Sequence, residues 1–397
     1  MASTETGASD LAAHTIHKVN TYKIRTRFPR LIGKNAFRDE HGYGDEVLVK
    51  ELLTDRGASG WGLASGLFYR PDLTEDELVL GRTVAELFAP DQGILDMSLS
   101  SFDFALHDLA GRILGIPCYK MFGNDGLNPV PVYDTLIYFD DISPDTRPGG
   151  LRQVLENCRY GYDYGYRAFK LKIGRAPRWM DWPDGLRRDI EVTRMVREHF
   201  PDCEILVDAN DAYTVDRMKE YVDAVADVGL YWIEEPFREN LEGFRALREH
   251  LDRVSPRTLI ADGETDPEVE LLIELYEQGY LGVFQMDVQG DLGLGHAFGL
   301  TSWRRLMPRL REIGARISPH AWGIKLKTHY AAQFCAGYPG VALVEGITDT
   351  TEGVDFSAYV LRNGKMFVPD KPGFGMELVW GAPVTGEGES KTVSRQV

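Results

Sequence analysis

Apolar and polar positions follow two different rhythms along the chain, and the switch falls near Val130. From Tyr22 to Gly66 the pattern is strand-like, interrupted by a glycine- and charge-rich stretch, RLIGKNAFRDEHGYGDE (30–46). The segment EVLVKELLTDRGASGWG (46–62) reads as a strand, a turn and a second strand. Residues 74–122 change to a helical period. In SLSSFDFALHDLAGRILG (98–115), Phe102, Ala105, Leu109 and Ile113 fall on one face. Strands followed by helices predict an α+β domain over residues 1–128, of which the small, polar residues 1–19 are expected to form a flexible leader.

Beyond Val130, short apolar runs alternate with helical segments. The runs are VPVYDTLI (130–137), YRAFKLKI (166–173), EILVDA (204–209), GLYWIEE (229–235), RTLIADGE (257–264), GVFQMDV (282–288), ARISPH (315–320) and VALVE (341–345). One intervening helix carries Met218, Tyr221, Val222 and Val225 on one face, another Val269, Leu272, Ile273 and Tyr276. Eight strands alternating with helices predict a closed parallel (β/α)8 barrel, a TIM barrel, over residues 129–353. The tail GEGESKTVSRQV (386–397) is expected to be frayed.

Composition narrows the function classes. The 397 residues carry a net charge of −17, so no global electrostatic attraction to nucleic acid or to an anionic membrane exists. No long apolar run predicts a membrane span, and the opening MASTETGASDLAAHT lacks the basic start and apolar stretch of a signal peptide. Cys118, Cys158, Cys203 and Cys335 are far apart with no Cys-x-x-Cys pair, as expected of reduced thiols in a cytoplasmic protein.

Ionisable residues close the predicted barrel strands: Lys170 and Lys172, Asp208, Glu234, Glu264, Asp287, His320 and Glu345. Their spacing is that of one βα unit each, so they should converge at the C-terminal mouth, where barrels of this kind keep their chemistry. Asp208, Glu234 and Glu264 on adjacent strands make an all-oxygen set suited to Mg²⁺, whereas no His-x-His or cysteine cluster argues for zinc. Lys170 and Lys172 leave their strand on the same face, and two neighbouring cations should weaken each other's hold on a proton. Asp287 on one strand can orient and charge His320 on the next, giving a second acid/base group.

The ordered set YRAFKLKIG, LVDAN, WIEEP, GE, a strand-end Asp, SPH and a final Glu resembles the enolase superfamily, mandelate racemase subgroup. The resemblance covers the barrel and makes the N-terminal segment the family's capping domain. It implies a modified barrel with residues 354–397 returning to the cap. It further implies one Mg²⁺ per subunit on Asp208, Glu234 and Glu264, and Lys172 as base on one face of a small carboxylate substrate. Lys170 would neutralise the carboxylate, and His320, paired with Asp287, would act on the other face. Glu345 would hydrogen-bond the substrate carboxylate as it becomes an enediolate, and Asn210 matches a position near substrate or metal. Glu235 is expected to be structural.

What the resemblance implies for function is Mg²⁺-dependent dehydration of an acid sugar, an aldonate or aldarate, to a 2-keto-3-deoxy acid. Racemisation or epimerisation of a 2-hydroxy acid is the alternative, and an inactive metal-binding barrel a remote one. Cycloisomerases, which carry Lys where this chain has Asp287, are set aside. Specificity is expected from capping loops over the mouth, residues 28–45 with Lys34, Asn35, Arg38, His41 and Tyr43, and the turn near 57–67. The segment AWGIKLKTHY (321–330) adds Trp322 to the substrate candidates, while its Lys325, Lys327 and His329 either reach a distal carboxylate or face solvent. The loop RAPRWMDWPDGLRR (175–188) is either functional or a packing insertion, and GDLGLGHAFG (290–299) reads as a loop without a dinucleotide fingerprint. A homo-oligomer is expected.

Overall fold

A computed structural model describes residues 2–64, 75–143, 149–289, 298–379 and 391–394. The cap is built on a long strand, β1 (Ile16–Arg27), paired antiparallel with β2 (Glu46–Thr54), which pairs in turn with β3 (Ser59–Leu63). Residues 2–19, expected to form a flexible leader, have regular structure instead. They carry helix α1 (Ala2–Ala12) and the first residues of β1. Leu11, Ile16 and Val19 are buried with Leu52 and Leu106, so one well-spaced Leu and a strand pattern outweigh the polar composition.

Helix α2 (Asp103–Leu114) crosses β3. A Cβ at Gly60 would overlap the backbone of Leu109, and one at Gly62 would overlap Phe104, so both glycines are needed for this close crossing. The other side of α2 faces the barrel, where Phe104 stacks on Tyr330 at 4.1 Å between ring centres and Thr301 Oγ1 donates to Asp103 Oδ1 at 2.6 Å.

The barrel strands are β4 (Val130–Ile137), β5 (Ala168–Lys172), β6 (Glu204–Asp208), β7 (Trp232–Glu234), β8 (Leu259–Asp262), β9 (Val283–Phe284) and β10 (Val344–Gly346). They run parallel in the order β9-β8-β7-β6-β5-β4-β10. The expected seventh strand, at 315–320, is reduced to single parallel bridges: Ile317 to both Phe284 and Val341, and His320 to Asp287. These bridges close the barrel. The two-residue period sorts each strand: Phe169, Leu171, Ile205, Val207 and Ile233 face the surrounding helices, while Tyr133, Ala168, Leu206, Trp232 and Leu343 fill the interior as one apolar layer.

The chain after the barrel returns to both units. Thr350–Thr351 pairs antiparallel with β1, and Lys365–Phe367 pairs with the start of β4. Phe374 N donates to Asp108 Oδ1 at 2.8 Å, and Arg112 donates to the Met376 carbonyl at 2.8 Å, both groups belonging to α2. Lys391–Ser394, inside the tail expected to fray, pairs antiparallel with β1. The four cysteines are free and buried, and no helix among the described residues is long and apolar enough to cross a membrane.

Candidate active site

The interior layer of apolar side chains explains where the charged ones stand. Lys170 lies two residues after Ala168, Asp208 two after Leu206, Glu234 two after Trp232 and Glu345 two after Leu343. Each is therefore the next inward-facing position toward the C-terminal mouth. Strand register sets Lys172 beside Asp208 and Asp208 beside Glu234. Glu264 follows β8 by two residues, and Asp287 and His320 meet through their bridge. All eight strand-end residues from the sequence come together here, and all are buried.

Lys170 is surrounded by carboxylates: Glu234 Oε1 at 2.5 Å, Asp208 Oδ2 at 3.1 Å and Glu345 Oε1 at 3.1 Å. Lys172 Nζ lies 2.5 Å from Asp208 Oδ2. Lys170 does lower the proton affinity of Lys172, as expected of neighbouring cations, but the surrounding carboxylates outweigh it. Burial pulls both down, but Glu234 and Glu345 around Lys170, and Asp208 beside Lys172, raise both above the ordinary lysine range.

Asp208, Glu234 and Glu264 each offer an oxygen, all within 4.8 Å of one another. Burial pushes the Glu234 carboxyl up to about 8, and burial with Glu235 nearby holds Glu264 well above the carboxylate range. Asp208 goes the other way: burial would raise it, but Lys172 and Lys170 hold it low. Three converging buried oxygens, two of them on carboxyls that resist ionisation unaided, fit a hard divalent cation that would offset their repulsion. Glu234 Oε2 is fixed by Trp232 Nε1 at 3.0 Å and Gln285 Nε2 at 2.9 Å, which leaves Oε1 toward the centre. Asn210, at φ 44°, donates its N–H to Asp208 Oδ1 at 3.0 Å and its side-chain amide to Glu235 Oε2 at 3.1 Å. It supports the Asp208 carboxylate.

His320 Nδ1 lies 2.6 Å from Asp287 Oδ2, so the ring presents Nε2 to the site, 3.2 Å from Glu264 Oε1. Burial lowers its pKa more than Glu345 and Asp287 raise it, which favours the neutral ring. Glu345, expected to hydrogen-bond the substrate carboxylate, stands among donors. Burial would raise its pKa, but Lys170, His320, the Ala321 N–H and the Thr135 hydroxyl hold it down at about 2, as an ionised acceptor. Thr135 Oγ1 donates at 2.7 Å and Ala321 N at 2.6 Å.

The capping loop meets the barrel mouth at an aromatic wall. The His41 ring packs edge-on against Tyr138 and Trp322, each at 4.7 Å, and its Nδ1 lies 2.8 Å from the Gly33 carbonyl. Tyr138, which the sequence reading missed, also lies 5.4 Å from Lys172 Nζ. It follows a strand with no ionisable end, so nothing drew attention to it. Lys34 is engaged elsewhere, 4.7 Å over the Trp179 ring, and Arg38 is exposed on the rim. Trp179 Nε1 donates to the Asn35 carbonyl at 2.7 Å, so the 175–188 segment is a packing element that holds the capping loop. Its Arg175 is fully buried between Asp141 at 2.6 Å and Asp189 at 2.5 Å. Of the segment after His320, Lys325 and His329 pack among Tyr164, Phe356 and Tyr359, whereas Lys327 turns inward to Asp287. The outer part of the 57–67 turn (65–67) and residues 290–297 of the glycine-rich loop lie outside the described residues.

Comparison with known proteins agrees with this geometry. The family model described as enolase C-terminal domain-like matches residues 153–382, more than half of the chain. The structure is similar to galacturonate dehydratase from Geobacillus sp., solved with D-galacturonate and 5-keto-4-deoxy-D-galacturonate: 31% identity, 92% of this chain and 95% of that chain covered, TM-score 0.83. It is equally similar to a mandelate racemase/muconate lactonizing protein from Geobacillus sp. Y412MC10 solved with magnesium and tartrate, at 30% identity, 95% and 97% coverage and TM-score 0.83. D-galactarolactone cycloisomerase of Agrobacterium fabrum is 28% identical over 84% of this chain and 88% of its own. With its barrel, cap and strand-end residues in this order, the chain belongs to the enolase superfamily, among the mandelate racemase-like proteins.

Proposed function

We propose that the protein is a Mg²⁺-dependent hydro-lyase that removes water from an acid sugar to give a keto-deoxy acid. The observation that carries the reading is the pairing of two proton-transfer groups across one mouth: Lys172 on β5, and His320 with Asp287 at the seventh strand position. Between them stand the three carboxylates of Asp208, Glu234 and Glu264. Mg²⁺ held by those carboxylates would supply Lewis-acid stabilisation of the negative charge that develops on the substrate carboxylate. Lys170, held protonated by Glu234 and Glu345, adds a fixed positive charge to that end of the substrate. Neutral His320 can take the proton α to the carboxylate at Nε2 and return it to the departing β-hydroxyl, whereas Lys172 would take that proton in its place only where a cation on Asp208 weakened their ion pair. Departure of hydroxide without a proton donor is slow, which is why a second acid/base group favours dehydration.

His41 and Trp322 form the wall against which the polyol chain lies, with Arg38 on the rim. His41 is neutral and its Nδ1 is engaged by Gly33, so its Nε2 is an acceptor for a substrate hydroxyl. The named dehydratase relative supports the reading, and its galacturonate ligand widens the substrate range from aldonates and aldarates to uronates. Two other outcomes share the first proton transfer. Reprotonation from the opposite side would give a racemase or epimerase. Ring opening or closure is a third, because a cycloisomerase stands among the relatives although Asp287 had argued against it.

Proton NMR in D₂O, with Mg²⁺ and pooled mono- and diacid sugars, distinguishes them. New methylene signals of a keto-deoxy acid support the dehydratase. Exchange or inversion without elimination would move the assignment to a racemase or epimerase, and lactone signals to a cycloisomerase.

A further inference from the structure

We propose that Lys327 is a third member of the His320–Asp287 pair, a positioning residue that locks the Asp287 carboxylate and through it the imidazole. The inference rests on the reading above, in which His320 transfers a proton.

Lys327 belongs to the first turn of the helix Lys325–Ala336, which starts at the barrel mouth directly after the seventh strand position. Its neighbours Lys325 and His329 turn away into an aromatic cluster, while Lys327 points toward the active site with a side chain 9% exposed. A buried ammonium costs several kcal/mol unless an anion receives it, so an apolar residue would serve the fold better here. The anion is Asp287, whose Oδ2 lies 2.8 Å from Lys327 Nζ and 2.6 Å from His320 Nδ1. Asp287 Oδ1 in turn accepts the Gln289 N–H at 2.7 Å.

With donors on both oxygens the carboxylate has one orientation left. His320 can then be held in one tautomer only, with the proton on Nδ1 and Nε2 turned to the reacting face. Without Lys327, Oδ2 loses the ammonium that it shares with the imidazole, and the carboxylate and the ring are held less firmly. Loss of such a supporting contact lowers turnover without touching the groups that bind substrate or metal.

The test uses the full-length enzyme with Mg²⁺ and variants K327M and K327R. Three quantities are measured: kcat and KM on an acid sugar that the wild type turns over, Mg²⁺ affinity by calorimetry, and the downfield proton resonance of the His320–Asp287 hydrogen bond, identified by its loss in H320N. K327M should lower kcat by about 10- to 100-fold with KM and Mg²⁺ affinity within about twofold, and its downfield resonance should move or broaden. K327R should recover part of kcat. Unchanged kcat with an unmoved resonance in K327M overturns the proposal, as does a loss in which KM and Mg²⁺ affinity collapse together. If the wild type turns over no acid sugar, the functional reading fails on its own, and the resonance alone decides the role of Lys327. Should K327M not fold, K327Q is judged by the same criteria.

Discussion

At the scale of single residues, the site is a contest between burial and charge, and the two imidazoles near it resolve that contest for different ends. His320 gains Asp287, and in the proposed reaction it is a proton carrier, so His320→Asn should abolish turnover while leaving Mg²⁺ binding intact; near-normal turnover would remove it from the chemistry. His41 has no carboxylate partner among its described contacts, and burial lowers its pKa to about 4, with Arg38 and Lys172 adding to the effect against the Gly33 carbonyl. Its ordinary value is 6.5, so the folded state binds its proton less readily than the unfolded chain. The stabilisation is therefore present above pH 6.5 and lost as pH falls toward 4, at most on the order of 3 kcal/mol from this group. Urea unfolding of the wild type and His41→Phe at a series of pH values checks this: the wild type should lose more stability over that window, and parallel curves would clear His41 of the effect.

At the scale of elements, the fold was legible wherever a periodic pattern had length. β4 through β8 lie within the apolar runs read from the sequence, and the helix 215–225 buries the predicted face Met218, Tyr221, Val222 and Val225. The seventh strand was legible only as a run, because ARISPH makes isolated bridges rather than a ladder, yet those bridges suffice to set His320 beside Asp287. The strand-end residues were legible because a barrel confines its inward positions to every second residue. Tyr138 was not, and Lys327 was noted without its partner, since a lysine in a helix and a tyrosine after a strand carry no spacing signal; only the third dimension brings them to Asp287 and Lys172. Proline and tryptophan left 175–188 open between function and packing, and the contacts of Arg175 and Trp179 speak for packing. Arg175→Met would leave Asp141 and Asp189 buried with less positive charge around them. The variant should lose about 3–5 kcal/mol in denaturant unfolding, and a loss under about 1 kcal/mol would mean that the pair is relaxed by water.

At the scale of the whole molecule, a metal that occupies the carboxylate cluster couples catalysis to stability. Mg²⁺ at a hundredfold excess over its Kd should stabilise the protein by about 2.7 kcal/mol, visible as a raised melting temperature that a chelator reverses. Glu264→Gln should lose most of that increment, and an unchanged titration would take Glu264 out of the ligand set. The same scale governs the cap. Its central strand β1 lies near the start of the sequence, yet β1 pairs with Thr350–Thr351, and α2 is held by the backbone around Phe374 and Met376. Synthesis therefore runs through the entire barrel before the cap receives its last partners, and contacts of such sequence separation form late. A ribosome-bound chain would thus hold all its strand-end residues before the cap beside them had its last partners.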